Sequence, residues 1–269
     1  MLANKDLPQS FFDSLGIDAD YQIREINATP VNTTYCISAE GERFLIKQFH
    51  ADHITGRARP ALMAMQRKIA RTGLAPMPLY LNQTQGIYAE DWVRHSIEPF
   101  TVLDDQLKME RLAKALALTH DLAISTVIND LPSQWAQYLT TIPYEEHKVL
   151  QEKIKQLHSS YEREFADTEH RVFCHNDLAL NHIIDHTKPV IIDWEYAATG
   201  NRFFDIASSI KINQLNRQQI EYLTQHYAHF SGFSAADVKA GLARVHDLVE
   251  LTYQLWYGAV KAFTKITEK

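Results

Sequence analysis

Apolar and polar positions alternate along the early part of the chain. Tyr21-Gln22-Ile23-Arg24-Glu25-Ile26 alternates, and Thr34-Tyr35-Cys36-Ile37-Ser38 and Arg43-Phe44-Leu45-Ile46-Lys47-Gln48-Phe49 flank the short turn Ala39-Glu40-Gly41-Glu42. A period of two around a glycine turn predicts strands joined as a hairpin. From about 57 to 72 alanine, leucine and methionine recur at helical spacing and stop at Gly73, a C-terminal signal. Pro76 and Pro78 read as a break, and Ile87–Val93 as a further strand. Beyond about 105 the period is helical over 106–120, 145–166, 216–230 and 235–265. The exception is a pair of short apolar runs, Asn181–Ile184 and Pro189–Ile192, either side of a turn at 185–188. A strand-rich first part and a helical second part predict an α+β plan of two lobes, 1–91 and 92–269, hinged near Glu90–Val93.

The late hairpin carries the chemistry. A hairpin brings its outer ends side by side, so Asp177 and Asn181 before it and Asp193 after it converge on one point. Two carboxylates and an amide at one point suit a divalent metal and a hydroxyl to be deprotonated. That is the phosphoryl-transfer layout of protein kinases, with a loop Asp as base and an Asn and a strand-end Asp on Mg²⁺. A lysine on the third strand of the small lobe holds the ATP phosphates in that layout, and Lys47 stands there.

His175-Asn176-Asp177 followed by Ile191-Ile192-Asp193-Trp194-Glu195-Tyr196 resembles the aminoglycoside phosphotransferase and choline kinase superfamily. The wording is nearest to its choline/ethanolamine kinase and bacterial thiamine kinase branches. The resemblance is strong over about 170–210 and weaker over about 30–125. It implies a protein-kinase-like fold, ATP and Mg²⁺ as cofactors, and a small-molecule alcohol as partner. It further implies that His175 bonds the loop backbone and that Asp205, in Asn201-Arg202-Phe203-Phe204-Asp205, braces the loop N–H groups. Choline kinases carry caging aromatics near the C-terminus, and Tyr253, Trp256 and Tyr257 stand in that region; Glu195 and Asp177 would add negative charge beside a cationic acceptor. The phosphate-covering loop corresponds to 28–35, which has no glycine; Asn32 and the hydroxyls of Thr33 and Thr34 are its candidate phosphate donors. Glu90 and Trp92 would present backbone to adenine, and His120 reads as core.

Two departures keep alternatives open. The family's metal-binding Asn comes five residues after the catalytic Asp, where this chain has His182, with Asn181 one residue early. A shifted loop with Asn181 as ligand is the preferred reading, because oxygen suits Mg²⁺; His182 as ligand would make Mn²⁺ a possible metal. No acidic residue lies between His53 and Ala89, so the helix glutamate that pairs with the strand lysine is missing, and Gln66 is a neutral substitute. The basic residues Arg57, Arg59, Arg67, Lys68 and Arg71 read as a solvated helix face. A nucleotide-binding pseudokinase and an aminoglycoside-type phosphotransferase are the rival readings. The absence of Asp-Phe-Gly and Ala-Pro-Glu segments, with only eleven residues between Asp193 and Asp205 and so no room for an activation loop, argues against a protein kinase.

Composition narrows the partners. The 269 residues are 45% hydrophobic and 22% charged with a formal charge of −6, which disfavours nucleic acid and anionic membranes. Two lone cysteines make no disulfide scaffold, and no signal-like or membrane-length apolar run is evident, so cytoplasm is the expected location.

Overall fold

The computed structural model describes residues 7–17, 20–56, 58–94, 102–185 and 189–267. Arg57 and the turn residues 186–188 therefore lie outside the described residues. A short helix α1 (Gln9–Leu15) leads into three antiparallel strands, β1 (Tyr21–Ala28), β2 (Asn32–Ala39) and β3 (Glu42–Phe49). The β2–β3 turn has positive φ at Glu40 and Gly41 (52° and 86°), the backbone of a tight two-residue hairpin. Helices α2 (Asp52–Thr55) and α3 (Arg59–Ala70) follow, then β4 (Pro78–Asn82) and β5 (Ile87–Asp91). The five strands form one sheet in the order β1-β2-β3-β5-β4. Pro78 thus opens a strand where the sequence pattern read a break. A proline donates no ladder bond, which an edge strand such as β4 tolerates.

The remainder is mainly helical: α4 (Asp105–His120), α5 (Leu131–Leu139), α6 (Tyr144–Ala166), α7 (Arg202–Ile212), α8 (Arg217–Ser231) and α9 (Ala235–Thr267). Between α6 and α7 run β6 (Arg171–Cys174), β7 (Ile183–Asp185), β8 (Val190–Ile191) and β9 (Ala198–Asn201). The expected hairpin is β7–β8. The pairing of β6 with β9 was not anticipated, because four-residue strands such as Ala-Thr-Gly-Asn show no apolar period. It closes the base of the segment 175–197. The sequence reading also passed over α5 and α7, although each has a side-chain cap: Asp130 accepts from the Ser133 N–H, and Asn201 from those of Phe203 and Phe204.

Two apolar clusters result. Phe11, Tyr35, Ile37, Ile46 and Ile87 join α1 to the sheet. The larger cluster joins α4–α9 and also takes in Ile54, Met65, Ile69 and Leu74 from the α2–α3 region. The α2–α3 segment is therefore anchored to the helical part, and the sheet stands over it. Close packing sets one local requirement: a Cβ on Gly241 of α9 would lie 2.4 Å from the Phe203 ring of α7.

Candidate active site

Strand β6 delivers His175-Asn176-Asp177 into a loop with unusual backbone. Asn176 and Asp193 have positive φ (63° and 69°), a region that Asn and Asp enter more readily than other L-residues. The loop is held from beneath by Asp205. Its carboxylate accepts the N–H groups of His175 (2.9 Å) and Asn176 (2.7 Å) and faces His120 Nε2 at 3.0 Å. Tyr227 Oη is 2.7 Å from His120 Nδ1, so the Nε2–H donates to Asp205 and Nδ1 accepts from the tyrosine. Burial pushes the Asp205 pKa up, but the His120 bond and the neighbouring donors outweigh it and hold the carboxyl below its usual range. His175 donates through Nε2 to the Ile192 carbonyl (3.0 Å), and its Nδ1 lies 3.3 Å from the Asp177 N–H. This one ring ties the loop before the hairpin to the strand end after it. Burial lowers its pKa to about 4, so it is neutral.

Asp177, His182 and Asp193 meet, each offering one ligand atom within 4.8 Å of the others. His182 Nδ1 lies 2.9 Å from the Asp177 carbonyl and 3.4 Å from the Ala179 N–H; the carbonyl only accepts, and this shorter contact puts the proton on Nδ1. The Nε2 lone pair is then left 3.7 Å from the Asp193 carboxylate. A lone pair facing a carboxylate is relieved by a cation between them, and a backbone bond at the far nitrogen is how ligating histidines are oriented. Asn181 lines the same cavity but is exposed on its wall. Lys47 Nζ donates to Asp193 Oδ1 at 2.5 Å. Burial opposes both charges. The ammonium of Lys47 nevertheless keeps Asp193 below its usual range. Lys47 stays above its ordinary value under the carboxylates of Asp193, Glu195 and Glu90.

These groups stand in the middle of a cavity of about 790 Å³ between the sheet and the helices. On the sheet side Asn32, Leu45 and Trp92 line it. Thr33 does not: its hydroxyl is 2.9 Å from His50 Nε2 on the other face of β2, and Thr34 takes the cavity face. The strand alternation that the sequence shows contains this distinction, since Asn32 and Thr34 share a face that Thr33 leaves. Asn32 is held by Thr29, whose hydroxyl donates to its carbonyl (3.0 Å) and accepts its N–H (3.1 Å), giving the glycine-free loop a fixed shape. Glu90, considered for its backbone, buries its carboxylate, and Gln66 bonds that carboxylate and not Lys47.

On the helical side Tyr253 and Trp256 of α9 line the cavity with ring centroids 6.0 Å apart, and the Trp256 indole N–H donates to Tyr196 Oη (2.9 Å). Tyr257 is 58% exposed. Helical geometry turns it roughly 80° from the face centred on Val249, Trp256 and Val260. Glu195 reaches the cavity, but Arg59 Nη1 binds it at 2.6 Å. Arg59 is 7% exposed, pairs also with Asp52 (2.6 Å) and stacks its guanidinium 3.4 Å from the Phe49 ring centroid. This corrects the reading of the basic run as wholly solvated: Arg67, Lys68 and Arg71 are exposed, Arg59 is not. Nothing local distinguishes Arg59 from them, because its partners lie on other elements.

Several solved structures share this architecture. A choline kinase from Streptococcus pneumoniae matches with a TM-score of 0.72 at 16% identity, over 97% of this chain and 96% of that one. An ethanolamine kinase from Plasmodium vivax matches at 0.68 and 15%, over 98% and 85%. A macrolide 2'-phosphotransferase matches at 0.60 and 15%, over 98% and 97%. No curated protein sequence matches the chain. These likenesses establish the two-part kinase-like fold. Residues 22–241 match the sequence model of the phosphotransferase enzyme family, a span that holds the Asp177–Asp193 loop, Lys47 and the Asp205 brace. The chain belongs to that family of phosphotransferase enzymes.

Proposed function

We propose that the enzyme transfers the γ-phosphoryl group of ATP to a primary alcohol on a small metabolite carrying one positive charge, with choline, ethanolamine and thiamine as candidates. The observation that carries this reading is the meeting of Asp177, His182, Asp193 and Lys47 beside an aromatic wall in one cavity. A solved structure of the pneumococcal choline kinase with AMP supports an adenine nucleotide. The base would rest between Leu45 and Trp92, with Asn32 and Thr34 near the phosphates. Lobes 1–91 and 92–269 would meet across it.

Asp193, His182 and Asp177 fit a divalent cation, and we favour His182 over Asn181 because its Nε2 stands 3.7 Å from the Asp193 carboxylate and its ring offers a ligand atom within 4.8 Å of Asp177. Such a cation would neutralise phosphate charge as it develops. Asp177 orients the acceptor hydroxyl and takes its proton. Lys47 turns from Asp193 to the phosphates. His175 and Asp205 keep the loop rigid, so reactive groups lose little freedom on reaching the reactive geometry.

The wall contributed by α5, α7 and α9 selects the acceptor. Among its described lining residues none is acidic; Gln134, Ser208, Thr252, Tyr253 and Trp256 are neutral. Arg59 already compensates Glu195. An aminoglycoside carries several ammonium groups and would want several carboxylates, whereas one ammonium is served by aromatic faces and Asp177. Among the described residues no helix is long and apolar enough to cross a membrane, which is compatible with a cytoplasmic enzyme. An ATP-consumption screen over choline, ethanolamine, thiamine, homoserine and aminoglycosides tests the reading. Turnover of a monocation whose KM, and not that of ATP, rises tenfold or more in Trp256→Ala is the expected result. Turnover of aminoglycosides alone would refute it, and binding of ATP with no acceptor turned over would favour a pseudokinase.

A further inference from the structure

In phosphoryl-transfer enzymes of this plan the strand lysine is held by a glutamate from the adjacent helix. Here α3 has no acidic residue, yet Lys47 is not left with Asp193 alone. Strands β3 and β5 pair with Lys47 opposite Tyr88 and Leu45 opposite Glu90. Opposed residues of an antiparallel pair share a face, and so do residues two apart on one strand. Lys47 and Glu90 are therefore diagonal neighbours on one face of the sheet. Both line the large cavity, and both line a smaller one under α3.

Glu90 is 3% exposed and its orientation is fixed. Gln66 Nε2 of α3 donates to its Oε2 at 2.6 Å and also to the Pro76 carbonyl at 3.1 Å. The Tyr88 hydroxyl donates to the same Oε2 at 2.8 Å. Two donors on one oxygen suit an ionised carboxylate, which accepts only. A buried carboxylate needs a cation. Arg59, which also lines the smaller cavity, is bonded to Asp52 and Glu195, whereas Lys47 shares the face of Glu90.

We propose that Glu90 is the positioning residue for Lys47, and that Gln66 and Glu90 together replace the missing helix glutamate with the carboxylate moved from helix to sheet. Asp193 cannot fill this role during the reaction if it is engaged by a cation. Glu90 is then the anion that keeps the ammonium aimed into the cavity. Gln66 keeps the helix linked to that anion through an amide. The inference rests on the phosphate role proposed for Lys47.

The test compares Lys47→Met, Glu90→Gln and the exchanged pair Gln66→Glu with Glu90→Gln. The exchange returns a carboxylate to the helix and preserves an amide-to-carboxylate bond. Affinity for Mg²⁺–ATP is read by calorimetry, which needs no acceptor, and the melting temperature of each variant is recorded. Charge-assisted contacts of this kind lead us to expect roughly tenfold weaker binding in Glu90→Gln. The exchanged pair should recover to within threefold of wild type. A residue needed only for folding would lower the melting temperature of Glu90→Gln without changing its affinity, and the inference would fall. It would fall equally if the exchanged pair folds and binds more than threefold weaker than wild type. Should Glu90→Gln not fold, the exchanged pair decides by the same threshold. Unchanged affinity in Lys47→Met would remove the phosphate role of Lys47, and the inference with it; weakened Lys47→Met beside an unaffected Glu90→Gln would remove the inference alone.

Discussion

At the residue scale two side chains decide the chemistry proposed for the loop. Asp177→Asn keeps the size of the side chain and removes the base, so turnover should fall by a factor on the order of 10² or more while Mg²⁺–ATP affinity stays near wild type. Steady-state rates and calorimetry on the same preparation check this, and a wild-type rate would take Asp177 out of the mechanism. His182 presents Nε2 to Asp193 because its other nitrogen is bound to the Asp177 carbonyl. Imidazole suits Mn²⁺ better than Mg²⁺. His182→Ala should therefore harm metal-dependent ATP binding more than Asn181→Ala, and wild type should bind the nucleotide more tightly with Mn²⁺. The larger loss in Asn181→Ala, with Mg²⁺ the better metal, would restore the oxygen ligand that spacing alone suggested. The spacing of His175, Asp177 and Asp193 was legible as a motif. The tautomer of His182 was not, since a ring nitrogen's role depends on a backbone carbonyl that only the folded loop supplies.

At the element scale α3, α4, α6, α8 and α9 were read from their period, and the end of α3 from Gly73, but α5, α7 and the contacts between helices were not. Gly241 shows why. Within α9 an alanine would be the better helix former by about 1 kcal/mol. The Phe203 ring of α7 occupies the place of its Cβ, at 2.4 Å. Gly241→Ala should therefore destabilise the protein, by about 1–3 kcal/mol as overpacked sites do, despite the gain in propensity. Urea unfolding would show a lower midpoint, and a raised one would mean that α7 and α9 can part at little cost. The same limit hid β4, β6 and β9. Short edge strands and two-stranded ladders are specified by what they pair with, and their own sequences carry little period.

At the scale of the whole molecule, acid should act through the buried support of the site. His175 has a folded pKa of about 4 because it is enclosed and neutral. The unfolded chain takes up this proton near pH 6.5. A depressed pKa gives stability that is present above the unfolded value and lost as pH falls toward the folded one. His175 alone should then remove on the order of 3 kcal/mol of stability between about pH 6.5 and 4. Asp205, also held below its ordinary value, adds its loss at lower pH still. Unfolding followed from pH 7.5 to 4.5 should show this slope in wild type and a shallower one in His175→Gln; equal slopes would mean that other groups carry the acid response. The amino-acid sequence by itself determined the α+β class, the order of most elements, the family, and the loop and strand end that carry Asp177 and Asp193, because these depend on local period and short spacing. Tertiary structure alone decided that Arg59 neutralises Glu195, that Tyr257 lies outside the cavity, and that Glu90 shares the face of Lys47. Each of these is a pairing between distant elements, and a charge or an aromatic ring acquires its role only from the partner that packing brings to it.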